Sequence, residues 1–326
     1  MSGACDEVHV VRLPMRVRFR GLMEREALLL RGPAGWGEFS PFVEYDDAES
    51  ARWLAAAVEA ATVGLPAAVR SRIAVNATVP AVPAADVAAV LARFAGCTTA
   101  KVKVAERGQS LADDVARVAE VRAVLGGAGR IRVDANGAWD VDEARRALTA
   151  LAPYGLEYAE QPCATLDDLG RLRVALARDG VDVLVAADES IRKADDPLKV
   201  AAAGSADVVV LKVAPLGGVR TALQVAEQCG LPVVVSSALD TSVGIAAGIA
   251  LAAALPELPF ACGLGTAALF TRDVVDPPLR PVGGAIDVAS ATATAPDPSR
   301  LAELAAPPDR QDWWRARLER CRPLVP

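Results

Sequence analysis

The sequence predicts a TIM-type modified (β/α)8 barrel with an N-terminal α+β capping domain that the C-terminal segment completes. Three observations carry this reading. From about residue 73 onward, short β-rich runs alternate with Ala/Leu/Arg-rich stretches of helical period. There are eight such runs at near-regular steps, so the count closes a ring without remainder. The first 72 residues break this rhythm and alternate like antiparallel strands around Gly/Pro turns. A doubly wound open sheet is the competing architecture.

In chain order, "VHVVRLPMRVRF" and "EREALLLRGPAGWGEFSP" read as cap strands, and "DDAESARWLAAAVEAA" reads as a helix. The barrel runs are "RIAVNAT", "TAKVKVA", "RIRVDAN", "LEYAEQP", "VLVAADES", "DVVVLKVAP", "LPVVVSSA" and "FACGLGT". Amphipathic stretches such as "DDVARVAEVRAVL" separate them, with Val115, Val118 and Val121 on neighbouring turns. Beyond Thr266 the chain becomes Pro-rich and ends in "RLAELAAPPDRQDWWRARLERC", which is expected to pack back on the cap. The expected division is 1–72 for the cap, 73–270 for the barrel and 271–326 for the returning segment.

Composition narrows the class. The chain has 326 residues, 52% hydrophobic and 23% charged, enough for a sizeable core. A net charge of −6 without basic blocks argues against nucleic acid or an anionic membrane surface as partner. No pattern specifies an oligomeric state. Cysteines stand at 5, 97, 163, 229, 262 and 321 with no C-x-x-C pair, so they read as reduced core thiols of a cytoplasmic protein. The N-terminus has early acids and no apolar h-region, unlike a signal peptide. The longest apolar run, 243–255, falls short of the ~20 residues that span a bilayer and reads as a buried helix.

Barrel chemistry gathers at the C-terminal ends of strands. Those positions carry Lys101 and Lys103, then Asp134, Glu160, Asp188 and Glu189, then Lys212, Ser236, Ser237 and a "GLGT" turn. Each has a bland reading. Asp134 in "DANGAW" could shape a turn, and Glu160 and Asp188 could cap helices. The two early lysines could be solvated edge residues. An EF-hand fails because Gly137 occupies loop position four instead of six. "GLGTAA" follows the last strand without an opening βαβ unit, which argues against a dinucleotide site. Together the bland readings fit badly, because three carboxylates converging on one face repel one another unless a cation sits among them. Hard oxygen ligands suit Mg2+, with Mn2+ the other candidate, and soft ligands are missing near these strands.

Residues i and i+2 of a strand face the same way, so Lys101 and Lys103 both point into the barrel. A second ammonium and burial near a metal would lower a lysine pKa, making Lys103 a usable base with Lys101 supporting it. Lys212 stands on the opposite side of the ring. The pattern points to removal of a proton α to the carboxylate of a small molecule.

The ordered set K101-V-K103, "VDANGAW", "EQP", "ADES" and "LKVAPLGG" resembles the enolase superfamily over nearly the whole chain. The resemblance implies Asp134, Glu160 and Asp188 as metal ligands and Lys103 and Lys212 as the acid/base pair. The only histidine is His9, so the racemase branch with a late histidine base is excluded, and the lysine pair matches the muconate-cycloisomerase-like subgroup. Within that subgroup, "VVVSSALDTSVGIAAGIALAAALP" followed by "CGLGT" implies a lyase of menaquinone biosynthesis. That enzyme dehydrates 2-succinyl-6-hydroxy-2,4-cyclohexadiene-1-carboxylate to 2-succinylbenzoate. Ser236, Ser237, Gly263 and Gly265 are then expected to line the pocket for the succinyl arm, and the loop from Arg18 to Met23 to cover its mouth. The alternatives are an N-acylamino acid racemase, dipeptide epimerase or cycloisomerase using the same lysines, and, from another class, a non-catalytic ligand-binding barrel.

Overall fold

Alternating apolar and polar side chains build the cap first. In the computed structural model, which describes residues 7–192 and 198–325, β1 (Glu7–Phe19), β2 (Leu22–Gly32) and β3 (Gly35–Phe39) form an antiparallel meander. Cys5 lies outside the described residues. The β1–β2 connection is two residues long, Arg20 and Gly21, both at positive φ as a type I′ hairpin requires. Helix α1 (Asp47–Thr62) is started by Asp46, whose side chain accepts from the Glu49 N–H, and it lays Trp53, Leu54 and Ala57 on the sheet. Helix and sheet meet closely at Gly37, where a Cβ would stand 1.9 Å from the Ala57 carbonyl oxygen. Gly37→Ala is therefore expected to cost about 1–3 kcal/mol through overpacking, read as a lower midpoint in urea unfolding.

The chain's end completes this layer. Helices α11 (Val288–Thr292) and α12 (Pro298–Glu303) lead to α13 (Pro308–Cys321), which brings Trp314, Leu318 and Cys321 into one core with Phe39, Phe42 and Trp53. Backbone bonds from Arg12 N–H to the Leu304 carbonyl (2.8 Å) and from Ala306 N–H to the Val10 carbonyl (2.9 Å) join the returning chain to β1.

Between these ends, β5 (Ala77–Val79), β6 (Thr99–Lys103), β7 (Arg130–Asp134), β8 (Leu156–Glu160), β9 (Leu184–Ala187), β10 (Val208–Leu211) and β11 (Val233–Val235) form a parallel sheet in sequence order. The helices on its outer face are α2 (Val87–Leu91), α3 (Leu111–Leu125), α4 (Val141–Leu151), α5 (Leu166–Asp179), α9 (Val219–Cys229) and α10 (Ser242–Ala254). Short helices α6 (Glu189–Arg192), α7 (Lys199–Ala202) and α8 (Val213–Leu216) fill the later connections. Capping boxes at Ser110 and Asp140 start α3 and α4.

The structure differs from the sequence reading at the seam. "RIAVNAT" is split: β4 (Arg72–Ala74) pairs with β12 (Ala285–Asp287) from the returning chain, and the barrel strand begins only at Ala77. "FACGLGT" forms no ladder and instead closes the ring by single parallel bridges, Ser236 to Gly263 and Val75 to Cys262. Glycines at 263 and 265 offer no side chain to pack, which weakens a strand there. The ring is still completed at this position, as a modified barrel.

Period-two alternation sorts the strand residues. Val102, Val133, Ala159, Val185, Ala187, Val209, Leu211 and Val235 face the helices in the main core. Tyr158, Ala186, Val208, Val210 and Val234 face inward, with Phe260 beside them. Beneath the site, fully buried Arg132 has its guanidinium 4.8 Å from the Tyr158 ring and bonds Glu157 and the Ala261 carbonyl. Two residues further along each strand come Asp134, Glu160, Asp188, Lys212 and Ser236, so the same alternation delivers all five to one end of the barrel interior.

Candidate active site

At that end the lysines meet the acids. Lys101, 7% exposed, donates to both Glu160 oxygens (2.7 and 2.8 Å) and lies 3.4 Å from Asp134 Oδ2. Lys103 donates to Asp134 Oδ2 and to Asn136 Oδ1, each at 2.6 Å, and Lys212 donates to Asp188 Oδ2 at 2.5 Å. Asp134 and Glu160 are direct partners in the β7–β8 register. Lys103 and Lys212 come from strands four places apart in the ring and face each other across it.

Burial shapes the electrostatics. It pushes the Glu160 carboxyl up to about 7, helped by the Asp134 and Asp188 charges against the pull of Lys101. Burial would raise Asp134 as well, but the Lys103 and Lys101 ammonium groups outweigh it and hold Asp134 below the usual carboxylate range. For Lys101 burial acts downward, and the Glu160 and Asp134 charges reverse it, so its ammonium is held above its ordinary value. Lys101 is thus fixed as a cation bonded to Glu160.

The three acids were expected to converge on a cation. Among the described residues no three acidic, histidine or cysteine side chains are gathered as a ready metal cage; each of the three carboxylates is turned to an ammonium group. Opposite charges that near each other inside a protein pair directly, and motif spacing does not reveal that pairing.

Lys101, Lys103, Asp134, Lys212, Ser236, Ser237 and Gly263 line one narrow cavity of about 40 Å³. Glu160, Asp188 and Gly265 are not in its lining: the two acids sit behind their lysines, and Gly265 opens the short 3-10 turn Thr266–Leu269. Asp134 also does what its bland reading says, since its Oδ1 accepts from the Asn136 N–H (3.1 Å). Phe19 and Arg20 of the β1–β2 turn reach in from the cap, with the Phe19 ring 5.4 Å from Lys103 Nζ. A larger cavity, about 600 Å³, lies between the cap, α10 and α11 and contains none of the strand-end residues.

Several contacts at this end were not legible in the sequence. Gln161 spans two strand ends: its Oε1 accepts from the Asp188 N–H (2.9 Å) and Ser190 N–H (3.1 Å). Ser237 Oγ donates to the Gly263 carbonyl (2.8 Å) and stands 2.8 Å from Thr266 Oγ1. Ala105, Asn136, Gln161 and Leu239 all take positive φ just beyond strands β6, β7, β8 and β11, a clustering of backbone strain around the mouth.

Cap, ring and strand-end charges agree with the family comparisons. Residues 84–293 match the model described as enolase C-terminal domain-like, and residues 10–61 match the enolase N-terminal domain-like model. The chain belongs to the enolase superfamily, whose members depend on a divalent metal ion. Its fold is that of the muconate lactonizing enzyme from Pseudomonas fluorescens, with a TM-score of 0.78 and 22% identity over 94% of this chain and 100% of the other.

More particular are several curated relatives that are o-succinylbenzoate synthases. That of Thermobifida fusca is 59% identical over 95% of this chain and 94% of its own length. That of Mycolicibacterium smegmatis is 58% identical over 98% and 96%, and that of Mycobacterium tuberculosis 57% over 100% and 96%. No helix among the described residues is long and apolar enough to cross a membrane.

Proposed function

We propose that this chain carries out the o-succinylbenzoate synthase reaction, dehydrating 2-succinyl-6-hydroxy-2,4-cyclohexadiene-1-carboxylate to 2-succinylbenzoate, and that it does so in the cytoplasm with Mg2+. The near full-length likeness to three curated synthases supports the reaction. The observation that carries the residue roles is the opposition of Lys103 and Lys212 across a cavity backed by three buried acids.

Asp134, Glu160 and Asp188 would hold the metal ion. The donor set fits: three carboxylates on adjacent strand ends are hard oxygen ligands, and Glu160 is raised mainly by burial and secondly by the Asp134 and Asp188 charges, a repulsion that a divalent cation relieves. When bound, the ion supplies positive charge beside the substrate carboxylate as its α-carbon loses a proton.

The chain's own groups do the rest. Lys103, as the free amine, takes the α-proton and becomes an ammonium. The electron pair left behind expels the hydroxyl from the neighbouring ring carbon, and the same ammonium protonates it. One water leaves, the ring becomes aromatic, and Lys103 returns to the amine. Lys212 stands on the other face as a cation beside the developing charge, while Lys101 stays bonded to Glu160. Ser236, Ser237 and Gly263 border the space for the succinyl arm. Gly265 supports that border from behind, since a Cβ there would stand 3.1 Å from the Asn76 carbonyl oxygen.

Following formation of the aromatic product by purified protein with Mg2+ tests the reaction. A second reading, racemization of N-acylamino acids, is favoured by the opposing lysine, which could serve the other face. Efficient deuterium exchange at a racemizable α-carbon without dehydration of the cyclohexadiene acid would replace the first reading by the second. Gly263→Ala would place a Cβ 2.4 Å from Ser236 Oγ. We expect this substitution to raise KM by about tenfold with a smaller change in kcat, read by steady-state kinetics.

A further inference from the structure

We infer that Arg25 and Glu38, two buried charged residues of the cap, are positioning residues for barrel segment 236–241 and so set the shape of the serine end of the cavity. Neither lines that cavity. Arg25, on β2 and 3% exposed, donates from Nε to the Leu239 carbonyl (3.2 Å) and from Nη2 to the carbonyls of Ala238 (3.4 Å) and Ser40. Glu38, on β3 and 7% exposed, accepts from Thr241 N–H (3.1 Å), Thr241 Oγ1 (2.6 Å), Gly244 N–H (3.0 Å) and Ser40 Oγ (2.7 Å). One cation takes the carbonyls and one carboxylate takes the N–H groups of the same stretch of backbone. This clasp reaches across more than two hundred residues of sequence.

The segment needs holding. It brings Ser236, Ser237, Ala238 and Leu239 to the cavity, and Leu239 sits at φ +67, a conformation a branched residue seldom adopts. Its first two residues are tied to the barrel by Ser236 N–H to the Leu211 carbonyl (2.9 Å) and Ser237 N–H to the Gly263 carbonyl (3.1 Å); beyond them Asp240 Oδ2 accepts from the Ala238 N–H (3.2 Å), while Asp240 Oδ1 is buried with no hydrogen-bond partner. Glu38 reaches the start of α10 only because residue 244 is glycine; a Cβ there would stand 2.7 Å from Asp240 Cβ and 2.9 Å from Glu38 Oε2. A water-sized space of about 30 Å³ beside this clasp is bordered by Glu38, Ser40, Ser236 and Asp240.

This inference rests on the cavity being the active site, and its test has one arm that does not. In Glu38→Leu the side chain keeps about the same size but loses both acceptor oxygens, which leaves the N–H groups of Thr241 and Gly244 and the Thr241 hydroxyl without their partner. Hydrogen exchange on the full chain with Mg2+ should show amides of 237–244 exchanging about tenfold faster, with β2 protection unchanged. With the cyclohexadiene acid, KM should rise about tenfold and kcat fall less than about threefold, because the lysines are untouched. Should that variant fail to fold, Thr241→Val is expected to act in the same direction and Thr241→Ser to restore both readouts. Unchanged exchange and unchanged KM, with only a lower Tm, would overturn the inference. Faster exchange in a chain whose parent form dehydrates no cyclohexadiene acid would uphold the positioning and overturn the reaction.

Discussion

Lys103→Ala should lower kcat by about a thousandfold or more, the range expected for loss of a positioned general base that also returns the proton. The substitution removes one side chain from the cavity wall and leaves the backbone pairing of β6 with β7 untouched. Asp134 keeps a cation at 3.4 Å, because Lys101 remains beside it. Circular dichroism and Tm should therefore stay close to those of the parent chain. Lys212→Ala provides the contrast: it leaves Asp188 buried without this ammonium, so it should depress both kcat and stability. Dehydration by Lys103→Ala at an undiminished rate would remove Lys103 from the mechanism whatever happens at Lys212.

Chelation of divalent ions should abolish turnover, and added Mg2+ should restore it. The buried carboxylates explain the metal requirement: Lys103, the ammonium nearest Asp134, must act as a base in the reaction, and a divalent ion supplies the positive charge that Lys103 then gives up. The sign of the pH dependence follows from Glu160, whose carboxyl lies near 7. Below that pH the metal-free protein retains a proton that the ion must displace, so Mg2+ affinity should rise as pH increases through about 7. Calorimetry of Mg2+ binding in two buffers of different ionisation enthalpy would detect the released proton. Asp188→Asn should weaken the same binding and raise the Mg2+ needed for half-maximal rate. Metal-independent turnover would remove the three acids from the ligand list and leave them as partners of the lysines alone.

Much of this site could be read from the chain alone, for a local reason. Whether a strand residue faces the barrel interior depends on the parity of its position, and parity is written in the sequence: Lys101 with Lys103, or Val210 with Lys212. Charges placed where a strand ought to be apolar therefore announce both their direction and their company. Closure was less legible: glycines near 263 made an eighth strand into two bridges, and β4 left the ring for a partner more than two hundred residues away.

By itself the sequence determined the order of strands, the inward line of lysines and acids, and the cap that precedes them. Only the tertiary structure decided which ammonium meets which carboxylate, that Gln161 ties two strand ends, which residues of the expected mouth loop enter the cavity, and that Arg25 and Glu38 grip the segment behind its serines. The reason is physical: periodicity is a relation between near neighbours along one element, whereas a hydrogen bond between Glu38 and Thr241 exists only once two separately built layers have packed.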